Sequence, residues 1–247
     1  MDDGRRQMTD LLSKGLLPES ALPFDGTVGI LVGRVWMPGR LAGPSVVALR
    51  SGGVYDISES APTMSDLCNN ADPLAVASSQ GTLIGSIADV LTNSNEDERD
   101  SSKPSFLAPV DLAAVKASGV TFASSLLERV IEEQARGDKS AADEIRERIV
   151  ELIGDDLSQI TPGSDAAMAL KEHFIAEGVW SQYLEVGIGP DAEIFTKAPP
   201  MSAVGTGANI GIRRDSSWNN PEPELVMVVS SSGAIVGASL GNDVNLR

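Results

Sequence analysis

Apolar and polar positions along this chain change rhythm several times. Met8, Leu11, Leu12 and Leu16 recur at helical steps and predict a short amphipathic helix at the start. From Thr27 to Ile57 come Val-rich pieces punctuated by Gly and Pro, VGILVGRVW, GPSVVALR and GGVYDI, which predict short strands in a small β-rich unit. Ala61 to Val90 mixes a helix or two with turns. Thr92 to Pro104 (TNSNEDERDSSKP) is polar, charged and nearly free of apolar residues, the pattern of a linker or long loop. Helical spacing returns over Phe122–Arg136, with Gly137 as its stop, and over Ser140–Ile153, with Lys139-Ser140 as its start. A third helix is expected from Asp165 to Glu177, and beyond Trp180 the pattern is one of strands and turns. Strands, then helices, then strands again predict an α+β fold and not an alternating βαβ one.

Composition narrows the partners. The 247 residues are 42% hydrophobic, enough to build a core, but only 4% aromatic, so that core must be largely Ala, Val, Leu and Ile. The formal net charge of −16 has no basic cluster to offset it, and a field of that sign repels phosphate backbones. Nucleic acid is therefore not an expected partner. Cys68 is the only cysteine, which excludes a disulfide within the chain and fits a reducing cytoplasm. The opening residues are polar and lead into no long apolar run, so neither a signal peptide nor a membrane partner is expected.

Two familiar patterns lack their structural context. Gly237-Ala238-Ser239-Leu240-Gly241 has the spacing of a serine-hydrolase nucleophile elbow, but Asn242-Asp243 follows where a helix should begin, and no histidine lies downstream. Gly205 to Gly211 is glycine-rich with GxGxxxG spacing and leads into no helical pattern, so a turn-rich loop is expected there and not a dinucleotide site. His173, the single histidine, sits within a predicted helix and reads as an ordinary helix residue.

The chemistry concentrates near the end of the sequence. Leu225 to Val229 and Ala234 to Val236 are apolar runs separated by Ser231-Ser232-Gly233, which predicts a β-hairpin. Residues two apart on a strand share a face, so Glu222 and Glu224 project together. Pro223 has no amide hydrogen for a ladder and belongs at a sheet edge or strand start. A turn centred on Ser232 or on Ser232-Gly233 makes Glu222 face Asn242 or Asp243, so three carboxylates converge at the open end of the hairpin. Such a group repels itself unless a hard cation such as Mg²⁺, Mn²⁺ or Ca²⁺ is shared between its members. The same spacing also suits two solvated acids ahead of a buried strand.

Glu-x-Glu, an apolar hairpin and then Gly241-Asn242-Asp243 resemble the metal-binding core of the fumarylacetoacetate hydrolase family. Ile194 to Pro200 is similar to that family's F-x-K-P segment, with Ala198 in place of a proline. The resemblance runs from about Leu107 to Arg247. It implies a β-rich fold of mixed sheets with a few helices, and Glu222, Glu224 and Asp243 as the ligands of a divalent cation. It also implies a domain division, a β-rich unit over 1–105 and a partial metal-binding catalytic domain over 106–247. Family members continue past the position of Arg247 with further core strands and an active-site lysine, so the resemblance implies C-terminal truncation.

Within the family the stretches GVTFASSLLERVIEEQARG and WSQYLEVGIGPDAEIFTKA look closest to dehydratases of 2-keto-3-deoxy pentonates, which yield an oxo-acid semialdehyde. The hydrolase branch carries an H-x-x-E pair over the metal. Here Ser125 to Glu128 keeps the glutamate and lacks the histidine, which favours the lyase. The resemblance thus implies Glu128 for proton transfer, Arg129 and Lys197 for binding a 2-keto acid, and a homodimer. Glu128 and Arg129 also suit a solvated helix face, and Lys197 also suits the flank of a turn. A C–C hydrolase of acylpyruvate-like diketo acids and an inactive domain that only binds metal or oxo-acid are the competing readings.

Overall fold

The computed structural model describes residues 15–119, 131, 135, 143, 144, 147, 161–176, 178, 180, 182–190, 193–217 and 219–246. By its internal contacts the chain forms two compact units, one built from 1–114 with 198–247 and the other from 115–197. Among the described residues no helix is long and apolar enough to cross a membrane.

The first unit is organised by a five-stranded antiparallel sheet. After a single helical turn, α1 (Pro18–Ala21), come β1 (Leu31–Met37), β2 (Gly43–Arg50) and β3 (Gly53–Asp56), the three strands expected from the Val-rich pieces. Two short helices follow, α2 (Met64–Cys68) and α3 (Pro73–Ala77), then β4 (Thr82–Gly85), α4 (Ile87–Thr92) and β5 (Ser105–Leu107). The sheet order is β4-β3-β2-β1-β5. The helices start where their capping chemistry dictates. Thr63 and Asp66 form a reciprocal capping box at α2, and Asp72 with Pro73 in the first turn opens α3.

Strand β2 is covered on both faces, which is why Val46-Val47-Ala48 is apolar without alternation. Val46 and Ala48 pack with Ile57, Ala61, Met64, Leu67 and Ala77 on the side of α2 and α3. Val47 packs with Val35, Val54 and Val90 on the side of α4. This aliphatic core is what the low aromatic content required.

The polar stretch Thr92–Pro104 is a loop with internal structure. Its Asn93 side chain is buried and donates to the carbonyls of Asp100, Lys103 and Pro104 at 3.0–3.1 Å. Ser94, also buried, donates from Oγ to the Val90 carbonyl and accepts the Phe106 amide. Buried polar groups fully committed to backbone partners are the opposite of a flexible linker. The glycine-rich segment 205–211 lies against this loop. A Cβ on Gly205 would come within 2.7 Å of the Leu107 backbone, and one on Gly207, at φ +77°, within 2.6 Å of the Ser94 carbonyl oxygen. The glycines there serve close backbone approach, as expected of a loop.

In the second unit β6 (Val115–Ser118) pairs with β7 (Ile194–Ala198). The helix expected at Asp165–Glu177 is present as α5 (Asp165–Ala176). A further helix, α6 (Gln182–Ile188), occupies a stretch where the pattern predicts strands and turns. Its residues, QYLEVGI, are indifferent helix formers, but α6 packs against α5 and Lys171 Nζ reaches Glu185 Oε2 at 2.5 Å. Tertiary contact has overridden local propensity. The helices expected over Met8–Leu16, Phe122–Arg136 and Ser140–Ile153 fall mostly outside the described residues.

Candidate metal centre

The remaining strands of the first unit form one long hairpin. Strands β8 (Asn219–Asn220) and β9 (Pro223–Val229) run up to the turn, and β10 (Ile235–Asn242) and β11 (Asn245–Leu246) run back. The turn forms because Ser230 to Gly233 closes on itself. The Gly233 amide donates to the Ser230 carbonyl at 3.0 Å and the Ser230 amide to the Ala234 carbonyl at 2.8 Å, with Gly233 at φ +85°. A left-handed residue closing a three-residue loop is a glycine position. Ser231 N–H also donates to Asn69 Oδ1 at 2.7 Å, tying the turn to the end of α2.

Both registers that the sequence allows occur, one after the other. Next to the turn Ile235 faces Val229, but a register shift at Val236 makes Gly237 face Val228, and every later pair keeps that offset. Gly241 therefore faces Glu224 and Asn242 faces Pro223. The Asp243 amide donates to the Glu222 carbonyl at 2.9 Å. Had the turn-end register continued, Glu222 would face Asn242 and Asp243 would project from the opposite face. The bulge is what puts the third carboxylate beside the other two.

The result is a cluster in which Glu222, Glu224 and Asp243 each offer an oxygen within 4.8 Å of the others. Glu222 and Asp243 are half-buried and Glu224 is exposed. No side chain stands opposite Glu224, because its partner is Gly241, where a Cβ would come within 2.7 Å of Val226 Cγ2. The pairing also continues past the cluster, with Asn245 facing Asn220 and Leu246 facing Asn219. The sequence places the carboxylates at the hairpin's open end, whereas the structure brackets them with ladder on both sides.

Pro223 opens β9, as expected. Since Glu222 and Asp243 form a hydrogen-bonded pair, their neighbours Pro221 and Pro223 occupy positions whose amides would point away from the partner strand. Their missing N–H groups cost this hairpin nothing and leave the outer edge unable to pair there.

The donor set fits a hard divalent cation. Oxygens around one Mg²⁺ or Ca²⁺ lie about 2.0–2.6 Å from the ion and hence up to roughly 4–5 Å from each other. Three carboxylates held within 4.8 Å meet that limit, and the cluster contains no imidazole or thiolate to favour a softer metal.

Of the other candidate residues, Lys197 lies exposed on β7 in the second unit, its Nζ 5.7 Å from the centre of the Phe195 ring. Glu128 and Arg129 lie outside the described residues. His173 is exposed on α5. Ser239 sits inside β10, with no strand-turn-helix around it, so no nucleophile elbow exists there.

Sequence reasoning missed a buried charge pair. Arg34 on β1 lies 3.6 Å from Asp111, and both are almost wholly buried. Arg34 Nη1 also donates to the carbonyls of Ala108 and Val110. The Asp111 carboxylate accepts from Met64 N–H at 2.6 Å, Ser65 N–H at 3.1 Å, Ser65 Oγ at 2.9 Å and Leu112 N–H at 2.7 Å. Burial pushes its pKa up, but these hydrogen bonds outweigh burial and hold it below the ordinary carboxylate value. Burial, and then the nearby Asp111 charge, push the Cys68 thiol up. Nothing local in the sequence announces this pair, whose members are 77 positions apart.

The cluster thus offers oxygen donors alone, the ligand type that hard divalent cations take. No protein-family model matches the chain. Over 55 residues it is 49% identical to 2-dehydro-3-deoxy-D-arabinonate dehydratase of Saccharolobus solfataricus, covering 22% of this chain and 18% of that one. Over 65 residues it is 46% identical to a probable 2-keto-3-deoxyxylonate dehydratase of Haloferax volcanii, covering 26% and 22%. A solved structure of 2-keto-3-deoxyarabinonate dehydratase aligns with a TM-score of 0.47 at 22% identity, over 86% of this chain and 56% of that chain. The chain is thus partly homologous to the 2-keto-3-deoxy pentonate dehydratases, through matches spanning about a fifth of each curated relative.

Proposed function

We propose that this chain carries the metal-binding core of a dehydratase that removes water from a 2-keto-3-deoxy sugar acid, a pentonate, to give an oxo-acid semialdehyde. The observation that carries this reading is the convergence of Glu222, Glu224 and Asp243 on one face of the hairpin. The partial homology supplies the substrate class.

In this reading Glu222, Glu224 and Asp243 hold Mg²⁺, or Mn²⁺ or Ca²⁺ in its place. The bound cation supplies Lewis-acid polarisation of the carboxylate and keto oxygens of a 2-keto acid and stabilises negative charge developing next to them. The hairpin's contribution is to fix three oxygens before the ion arrives, so that little reorganisation is required. Glu128 is the group assigned to take the proton from the carbon beside the keto group and to assist departure of the β-hydroxyl. Arg129 and Lys197 are assigned to the substrate carboxylate, Arg129 being suited to a bidentate contact. A homodimer is the assembly expected with it.

Calorimetric titration with Mg²⁺ or Mn²⁺ tests the site. The unaltered chain should bind and a Glu222→Ala, Glu224→Ala variant should not; equal heats from both would refute the assignment. Semialdehyde formation from 2-keto-3-deoxy pentonates then tests the reaction. Release of pyruvate from acylpyruvates in its place would establish the C–C hydrolase.

A further inference from the structure

We propose that Asn242 is a positioning residue for this metal centre, acting through the backbone of Glu222. The proposal rests on the metal-binding reading of the carboxylate cluster.

In a regular antiparallel ladder, facing residues of a hydrogen-bonded pair exchange two N–H···O=C bonds. At the cluster one half of that exchange is intact, with Asp243 N–H donating to the Glu222 carbonyl at 2.9 Å. The other half is altered. Glu222 N–H donates to the side-chain oxygen of Asn242, also at 2.9 Å.

The neighbouring sequence makes that one bond count. Pro221 and Pro223 flank Glu222, and neither has an amide hydrogen. From Pro221 to Pro223, the Glu222 amide is therefore the only backbone donor with which the strand can be held. The Glu222 peptide sets the point and direction from which its side chain leaves the strand, so whatever fixes that peptide narrows the positions its carboxylate can take up. Asn242 stands immediately before Asp243 on the facing strand, and its bond thus couples the backbones that carry two of the three ligands. An amide oxygen makes this contact without adding a fourth negative charge to the group.

Three variants of the full chain test the assignment: Asn242→Ala, Asn242→Asp, and Asn219→Ala as a control on the same hairpin. Mn²⁺ affinity is measured by calorimetry and backbone amide exchange by NMR without metal. Asn242→Ala should bind Mn²⁺ about 10-fold or more weakly, the loss typical of a group that orients a ligand. Its Glu222 amide should exchange faster while Val226 and Val228 keep their protection. Asn242→Asp, which retains the acceptor oxygen, should restore Glu222 protection and at least the original affinity, and Asn219→Ala should leave both unchanged. Unaltered Mn²⁺ affinity in Asn242→Ala would overturn the proposal, as would a loss accompanied by general deprotection of Val226 and Val228. Absence of Mn²⁺ binding in the unaltered chain would overturn the metal centre itself, and this inference with it.

Discussion

The first unit holds acidic groups in two contrasting settings. Asp111 is 4% exposed, surrounded by four hydrogen-bond donors and the Arg34 guanidinium, and reaches partners on β1, at α2 and in its own loop. Glu222, Glu224 and Asp243 are gathered from one hairpin onto a face that is half open to solvent, with like charges within 4.8 Å. In the first setting charge is neutralised and hydrogen-bonded locally, so the carboxylate acts as a tie between elements. In the second, like charges are concentrated where a cation can reach them. Both cost free energy to assemble; at Asp111 the surrounding donors and Arg34 offset it, and at the cluster the proposed function assigns a share of that role to a bound cation.

That contrast breaks most visibly at Asp111. Asp111→Ala leaves Arg34 buried without its counter-charge and three backbone amides without their acceptor, and should lower stability by about 3–5 kcal/mol in urea denaturation. Asp243→Asn should behave in the opposite way. Without metal it should lose clearly less stability than Asp111→Ala, while Mn²⁺ affinity falls roughly 100-fold or more, about 2.7 kcal/mol. Equal stability losses in the two variants would erase the distinction between tie and site.

Gly241→Ala probes the ground between them. Its new methyl meets Val226 Cγ2 at 2.7 Å, and overpacking a stiff β-branched neighbour should cost about 1–3 kcal/mol and weaken Mn²⁺ binding with it. The smallest effect is expected in acid. The Asp111 pKa is lowered in the folded chain, so the unfolded chain binds the proton more readily. Its stabilisation is therefore present above the unfolded value of about 3.9 and is lost as pH falls through the lower folded value. Urea midpoints measured from pH 5 downwards should decline in the unaltered chain, and the part due to Asp111 should be missing in Asp111→Asn.

Much of this was open to reading in advance because it is local. The Val-rich strands of the first sheet follow from a run of apolar residues between turn signals, and α5 from helical periodicity. Glu222 and Glu224 share a face because strand geometry allows nothing else. The loop at Thr92–Pro104 was legible as a loop, but its order was not, since Asn93 and Ser94 are fixed by carbonyls and amides up to 12 residues away. Helix α6 escaped detection because its residues mix helix formers (Gln182, Leu184, Glu185) with strand formers and a glycine, and its packing on α5 decides between them.

The carboxylates divide along the same line. By itself the sequence determined that a hairpin forms after Glu224, that its turn needs Gly233, and that two glutamates project together, because turn chemistry and the two-residue period act over a few bonds. Whether Asp243 joins them was a matter of one residue in the register. The bulge at Val236 decided it, and a bulge is set by how two strands settle against each other, a property that no single stretch of either strand contains.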